Sequence, residues 1–298
     1  MFHKDDSKAI LTFKQHSVLP DTVLCPNCGA VCNFAPSSNI FFCRRICRDS
    51  KSRKIKCSFS VSINKNTWLD RSHITPSQNI LFCSLFLQNF ITQRQIVKWL
   101  KIGHEAAVNW KHYCYEVCEF WLAEQEQIGI GGHGKVVEIG ENIFGSSKIK
   151  QNREGQEFEG QWVFGCFERD SKKLFLFPVE NRDAGTLIPI VKKHILPDTI
   201  IHSNCWKAYS TLSNEGFTHY TVNQSEEKEF LNKSDVHTRN IEACWRDVKA
   251  WILRSGNKRE LSHKYISKYL FCKAFHEEER LHYFLETAAK LYRHPHTV

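Results

Sequence analysis

Six of the thirteen cysteines fall in the stretch from Cys25 to Cys57, and their spacing is that of a metal site. Cys25-Pro26-Asn27-Cys28-Gly29 sets two thiolates three positions apart on a tight turn, where they can share one zinc ion, and the glycine relaxes the backbone beside them. The second pair of ligands in such a site follows about fifteen residues later, where Cys43 stands. Its partner is either Cys47 or Cys57, and neither gives a strict C-x-x-C. Cys57 is favoured, because the segment before it has the character of an insertion and because it leads directly into the alternating Phe59, Val61 and Ile63. Cys47 is the alternative ligand, and Cys32 is spare. The competing reading is a set of unligated buried thiols.

Between Cys43 and Cys57 stand Arg44, Arg45, Arg48, Lys51, Arg53, Lys54 and Lys56 against one acid, Asp49. A loop that gathers so much like charge repels itself unless phosphates relieve it, so these seven residues are candidate DNA contacts. The bland alternative is a solvated loop. Two carboxylates further on are of interest. Glu138 lies in an apolar strand-like run, and Glu242 lies four residues before Arg246 on a helix, where an exposed ion pair is worth a few tenths of a kcal/mol.

Net charge +9, with 41 basic residues, implies an anionic partner, and nucleic acid is the commonest of these. With 298 residues, 42% of them hydrophobic, the chain can bury a core in two or three domains. No window approaches eighteen uninterrupted apolar residues, and the first residues do not read as a signal peptide, so secretion and membrane insertion are not expected. An odd cysteine count in a chain of this size points to reduced thiols.

The elements that must position these groups follow from periodicity. After an N-terminal arm (1–23) and a zinc-ribbon segment (24–72) comes a helical segment (76–124). Ile80, Leu81, Leu85, Phe86 and Phe90 form one apolar stripe, and Thr92-Gln93-Arg94-Gln95 has the form of a capping box opening the next helix, which ends at Gly103. A third helix from His104 carries Asn109, Lys111 and His112 on its outer side, so the segment reads as helix-turn-helix-like, with those three as further candidate DNA contacts. Four glycines between 129 and 134 predict a hinge over 125–135 and a domain boundary there. Strands are predicted over 136–144, 162–168 and 174–179, then a helix over 184–195, a buried strand over 199–203 and a helix over 206–212. A strand over 218–222 and a helix over 237–253 complete the pattern. Three antiparallel strands, a crossover helix and a further strand open a ribonuclease-H-like α/β domain with a mixed sheet (136–255). A helical, basic tail (256–298) follows.

In order along the chain, several segments carry a family likeness: Val137-Glu138-Ile139, Gln161-Trp162-Val163-Phe164-Gly165, Arg182 with Leu187-Ile188-Pro189, and His202-Ser203 with Cys205-Trp206-Lys207-Ala208-Tyr209. His219-Tyr220-Thr221-Val222-Asn223 and His237-Thr238 with Ile241-Glu242 and Trp245 continue it. Together with the cysteine-rich and helical segments, they resemble Merlin-type DDE transposases and their bacterial ISXO-like relatives. Such enzymes hold two divalent cations between three acids, one metal activating the attacking oxygen and the other stabilising the leaving oxygen. The resemblance implies aspartates where this chain has Gly140 and Asn204, and the glutamate that it retains as Glu242. Glycine offers no ligand and asparagine only a neutral oxygen, whereas magnesium is held by carboxylates at near-octahedral geometry. Glu138 is the nearest substitute for the first acid. It shares the face of position 140 but sits roughly 7 Å along the strand, and metal sites tolerate about 0.2 Å. His202, on the Asn204 face, suits zinc better than magnesium.

The expectation is therefore a transposase-derived DNA-binding protein with a structural zinc that is unable to cleave or join DNA. One alternative is an active cut-and-paste transposase using magnesium, and another is a zinc-dependent protein-interaction module. The resemblance further implies the terminal repeats of the chain's own element as partner, and a homo-oligomer. A eukaryotic host would make the basic stretch a nuclear import signal. In a bacterial host the protein would be cytoplasmic.

Overall fold

A computed structural model describes residues 6–48, 53–88, 90–144, 160–222, 235–254 and 263–292. Lys51 lies outside the described residues, as do Asp49, Asn223 and the last six residues of the basic tail. The chain divides into two compact units.

The first unit takes residues 1–87, 93–117 and 278–298. It opens with α1 (Ser7–Gln15), then β1 (Asn33–Ala35) and β2 (Ile40–Phe42), which join β5 (Ser60–Ser62) in an antiparallel sheet of order β1-β2-β5. Between β2 and β5 the basic stretch forms its own antiparallel pair, β3 (Ile46–Arg48) with β4 (Lys54–Lys56). The helices are α2 (Pro76–Phe86), α3 (Gln93–Leu100) and the start of α4 (His104–Ile128). Phe13, Phe41, Trp68, Phe82 and Trp110 fill the core, with the Trp68 ring 5.2 Å from that of Trp110. A capping box opens α2 at Thr75 and Gln78: the Thr75 hydroxyl accepts from the Gln78 amide, and the Gln78 side chain accepts from the Thr75 amide. α2 stops at Phe86, so Phe90 falls off the apolar stripe and is 69% exposed.

The second unit holds 88–92 and 118–277. The partition falls inside α4, which runs unbroken to Ile128, while the glycine stretch begins only after it. That stretch is pinned. β6 (Ile130–Gly131) pairs in parallel with β10 (Ile195–Leu196), the Gly131 amide donates to Glu168 at 2.7 Å, and the Gly132 amide donates to Thr199 at 2.7 Å. The expected hinge is thus a bonded turn. Gly131 is needed there twice over, by its φ of +87° and because a Cβ would stand 2.3 Å from the Thr199 hydroxyl.

The main sheet is mixed and five-stranded, with order β12-β11-β7-β8-β9. β7 (Val136–Phe144), β8 (Gln161–Glu168) and β9 (Leu174–Val179) are successive antiparallel neighbours. α5 (Ala184–His194) crosses over to β11 (Ile200–Asn204), which lies parallel to β7, and β12 (Thr218–Val222) lies parallel to β11. Where a helix is predicted over 206–212, the chain makes two short 3₁₀ turns, Lys207–Tyr209 and Leu212–Glu215. α6 (Arg239–Arg254), α7 (His263–Ala274) and α8 (Arg280–Leu291) complete the chain, α8 belonging to the first unit. Among the described residues, no helix is long and apolar enough to cross a membrane.

α6 lies on the sheet through Ile241, Trp245 and Val248, all buried. Gly140 and Gly165 are directly paired across β7 and β8 beneath it, but they differ sharply. A Cβ on Gly165 would meet the Trp245 ring at 2.6 Å, whereas one on Gly140 would find Ile241 and Trp245 at an ordinary 3.8 Å. We expect Gly165→Ala to lower the unfolding free energy by about 1–3 kcal/mol through overpacking, and Gly140→Ala to leave it nearly unchanged. Chemical denaturation of both variants checks this, and equal effects would contradict the packing described.

Candidate functional site

A cavity of about 280 Å³ opens beside the middle of β7, at the carboxyl end of β11, where α6 begins. Gly140, Asn142, Asn204, Thr238, Glu242, Arg246 and Lys249 are among its lining residues. Three elements meet there for a topological reason. β7 and β11 are parallel and paired as far as Glu138 with His202, so Gly140 and Asn204 each stand two residues beyond the last couple, at the same edge. Glu242 comes from the first turn of α6. The three positions singled out in the sequence are therefore brought to one cavity.

The cavity is poor in anionic ligands. Glu242 accepts from the Thr238 hydroxyl at 3.3 Å. The Asn204 side-chain oxygen accepts from the Trp206 amide at 3.2 Å and so closes its own turn. Glu141, the other carboxylate of the lining, points to the opposite side of the strand and accepts from the Tyr209 hydroxyl at 2.5 Å. Burial raises its pKa, against the pull of Tyr209 and of the Arg182 charge. Arg182 is stacked between two indoles, 4.5 Å from Trp162 and 4.1 Å from Trp206. Two of the groups facing the cavity, Arg246 and Lys249, are cations.

Glu138 is in another position altogether. It is fully buried, and its oxygens accept from the Asn240 amide at 2.9 Å, the Ile241 amide at 3.0 Å, the Asn240 side chain at 2.8 Å and Arg169 Nε at 2.8 Å. His237 Nδ1 lies 3.2 Å away. Arg169 also reaches His202 Nδ1 at 3.0 Å, and burial followed by the Arg169 charge lowers the His202 pKa. These bonds use the Glu138 carboxylate to hold down the first turn of α6, whose amides have no partner within the helix. Nothing in the local sequence signals this task, because its partners Asn240 and Ile241 lie 102 and 103 residues away.

In the first unit, the thiols of Cys25, Cys28, Cys43 and Cys57 lie within 4.8 Å of one another. Cys25 and Cys57 approach to 3.3 Å, and Cys28 and Cys43 to 3.6 Å. The Phe59 amide and then the Cys25 thiol lower Cys57 to about 7, which favours a thiolate in the group. Four converging sulfurs, one of them readily ionised, fit a tetrahedral soft-ligand cation. Cys47 stands apart on β3, with its sulfur 3.7 Å from the Ile55 carbonyl.

Of the candidate DNA contacts in the basic stretch, Arg44, Arg45, Arg48, Arg53, Lys54 and Lys56 are exposed. On α4, Asn109 and His112 face solvent, with His112 Nε2 3.6 Å from Glu116. Lys111 does not point freely outward. It is partly buried over the Tyr115 ring at 5.9 Å, and burial lowers its pKa.

Residues 131–278 match the ISXO2-like transposase domain family. By that match residues 131–278 belong to the ISXO-like transposase domain family. A relative in Haemophilus influenzae described as an uncharacterized transposase-like protein is 30% identical over 53 residues, 18% of this chain and 43% of its own. The chain thus spans less than half the length of that relative. Among solved structures, the Mos1 transposase paired-end complex with left transposon end is 13% identical over 72% of this chain and 76% of that one, at a TM-score of 0.28. The Mos1 paired-end complex with Mg is 14% identical, also at a TM-score of 0.28.

Glu138 is assigned here to anchoring rather than to metal. Its replacement by Gln should destabilise the protein by about 1–3 kcal/mol, since it removes a buried charged acceptor from the amides of Asn240 and Ile241 and leaves part-buried Arg169 with only exposed Asp235 as a carboxylate partner. Thermal or denaturant unfolding measures this, and a change below about 0.5 kcal/mol, the scale of an ordinary surface substitution, would reject the anchoring role.

Proposed function

We propose that this ISXO-like transposase relative binds duplex DNA without cutting it. The observation that carries the reading is the composition of the cavity at the β7, β11 and α6 junction, where Gly140, Asn204 and Glu242 meet. On this reading the sheet, three antiparallel strands followed by two parallel to the first, is a ribonuclease-H-like core, and these three are its metal-ligand positions. Two divalent cations bring four positive charges, and carboxylates must offset them. Glu242 offers one such group, Asn204 a neutral oxygen already accepting a bond, and Gly140 none, while Arg246 and Lys249 add positive charge of their own. The residues present do not fit a magnesium pair, and Glu138 is too fully engaged on α6 to replace one ligand.

The remaining features suit DNA binding. The net charge of +9 favours a polyanion, and the basic stretch concentrates that charge on an exposed surface. The four-thiol cluster on this reading is a structural zinc site in a ribbon that holds the basic stretch. Terminal repeats of a parent element are the proposed target, and a homo-oligomer is the proposed form.

The test is a nicking assay on supercoiled plasmid carrying such repeats, with magnesium or manganese. We expect no cleavage by the natural chain, and metal-dependent nicking once Gly140→Asp and Asn204→Asp are combined, a change whose Cβ at position 140 meets only ordinary contacts at 3.8 Å. Metal-dependent nicking by the natural chain that disappears in Glu242→Ala would overturn the proposal.

The zinc assignment is checked separately by elemental analysis of purified protein. One zinc per chain is expected, retained in Cys47→Ser and lost in Cys57→Ser. Equal zinc content in those two variants would count against the ligand set.

A further inference from the structure

The basic stretch is built as a ribbon, and we propose that this ribbon enters the major groove of duplex DNA. The inference rests on the DNA-binding reading above and adds to it the element, the groove and the side chains that make contact. β3 and β4 pair antiparallel with Ile46 opposite Lys56, Cys47 opposite Ile55 and Arg48 opposite Lys54. Directly opposed residues share a face. One face therefore presents Ile46, Arg48, Lys54 and Lys56, and the other presents Cys47 and Ile55.

All of these side chains except Cys47 are exposed, including Ile46 at 66% and Ile55 at 45%. A hairpin buries apolar residues when it serves a core, and an isolated two-stranded hairpin is marginal in water. This one instead shows two isoleucines to solvent beside three cations. Arg48 stands directly across from Lys54, so the ribbon concentrates positive charge where an anionic partner can meet it.

The ribbon is held firmly at its base. The Cys57 amide donates to the Arg45 carbonyl at 2.8 Å, the Cys43 amide donates to the Phe59 carbonyl at 2.9 Å, and Arg44 Nη1 donates to the carbonyls of Cys43 at 3.0 Å and Phe59 at 3.2 Å. Cys43 and Cys57, which flank the two strands, belong to the four-thiol cluster. Paired strands about 4.8 Å apart fit within a major groove about 12 Å wide, which admits a two-stranded ribbon, whereas a minor groove of about 6 Å does not. Arg48, Lys54 and Lys56 would meet phosphates at the groove walls, and Ile46 would meet base edges, where thymine offers a methyl group.

The test measures binding of the full chain to a short mixed-sequence duplex between about 50 and 200 mM salt. Each phosphate contact contributes about 0.9 to the slope of log affinity against log salt, so Arg48→Gln, Lys54→Gln and Lys56→Gln together should make it shallower by about three. Lys54→Gln alone should change it by about one, which keeps the test valid should the triple variant misfold by circular dichroism. Ile46→Ser should weaken binding with the slope unchanged. Methyl green, which occupies the major groove, should displace the protein, and netropsin, which occupies the minor groove, should not. Binding with an unchanged slope in the charge variants, or displacement by netropsin alone, would overturn the ribbon assignment and leave the DNA-binding reading standing. A natural chain without affinity for the duplex would instead remove that reading itself.

Discussion

Glu138 lies wholly inside the second unit, and its two oxygens gather the Asn240 and Ile241 amides, the Asn240 side chain and the Arg169 guanidinium. A buried carboxylate is tolerable only when it is paired and hydrogen-bonded, and here the counter-charge and the orphan amides of a helix start supply both needs at once. The direction of α6 over the sheet follows from that anchor. With its first turn bound to β7, the helix lays Ile241 and Trp245 over Gly140 and Gly165, and Glu242 is turned to the cavity beside the middle of β7 and the end of β11. Arg169 links the same carboxylate to His202 on the neighbouring parallel strand, so the anchor also ties together the two strands that border the cavity.

This arrangement separates two positions on one strand. Glu138 has full hydrogen-bond satisfaction and no access to the cavity, and its charge is spent on structure. Position 140, two residues on and on the same face, has access and no charge. A cavity can retain its walls when its ligands change, because the walls here depend on the Glu138 anchor and on the fit of Trp245 against Gly165, neither of which involves residues 140 or 204. The persistence of the shape is therefore no measure of the chemistry that it can support.

Strands β7, β9 and β12 and the helices α5 and α6 were legible within a residue or two, because one buried face imposes a period of two on a strand and of 3.6 on a helix. In the 3₁₀ turns after β11, Trp206, Ala208, Tyr209 and Leu212 have a spacing that a helix would share, yet Ala208, Tyr209 and Leu212 are buried by the packing of a loop. The glycine stretch was read as a hinge from conformational freedom alone. What pins it, the Glu168 carboxylate and the Thr199 hydroxyl, lies 37 and 67 residues away. The sequence brought Gly140, Asn204 and Glu242 to notice only through a family likeness, since none has a local pattern that marks it. The cysteine cluster was legible from spacing as a choice between Cys47 and Cys57, and strand pairing decides between them: β3 carries Cys47 out onto the ribbon, and Cys57 follows β4 at the base.

That last contrast bears on how the first unit divides its work. A cluster of four converging thiols ties the chain at a few points and leaves the segment between them free to vary. Between Cys43 and Cys57 the chain uses that freedom to carry a ladder with opposed cations and exposed isoleucines, a composition that would be unstable as a self-sufficient hairpin. Its pairing is sustained from the base, by backbone bonds from Cys57 to Arg45 and from Cys43 to Phe59, and not by burial of either face. Stability and surface chemistry are thereby assigned to different residues. Changing the side chains of the ribbon alters what it can touch, whereas changing the thiols alters whether there is a ribbon at all.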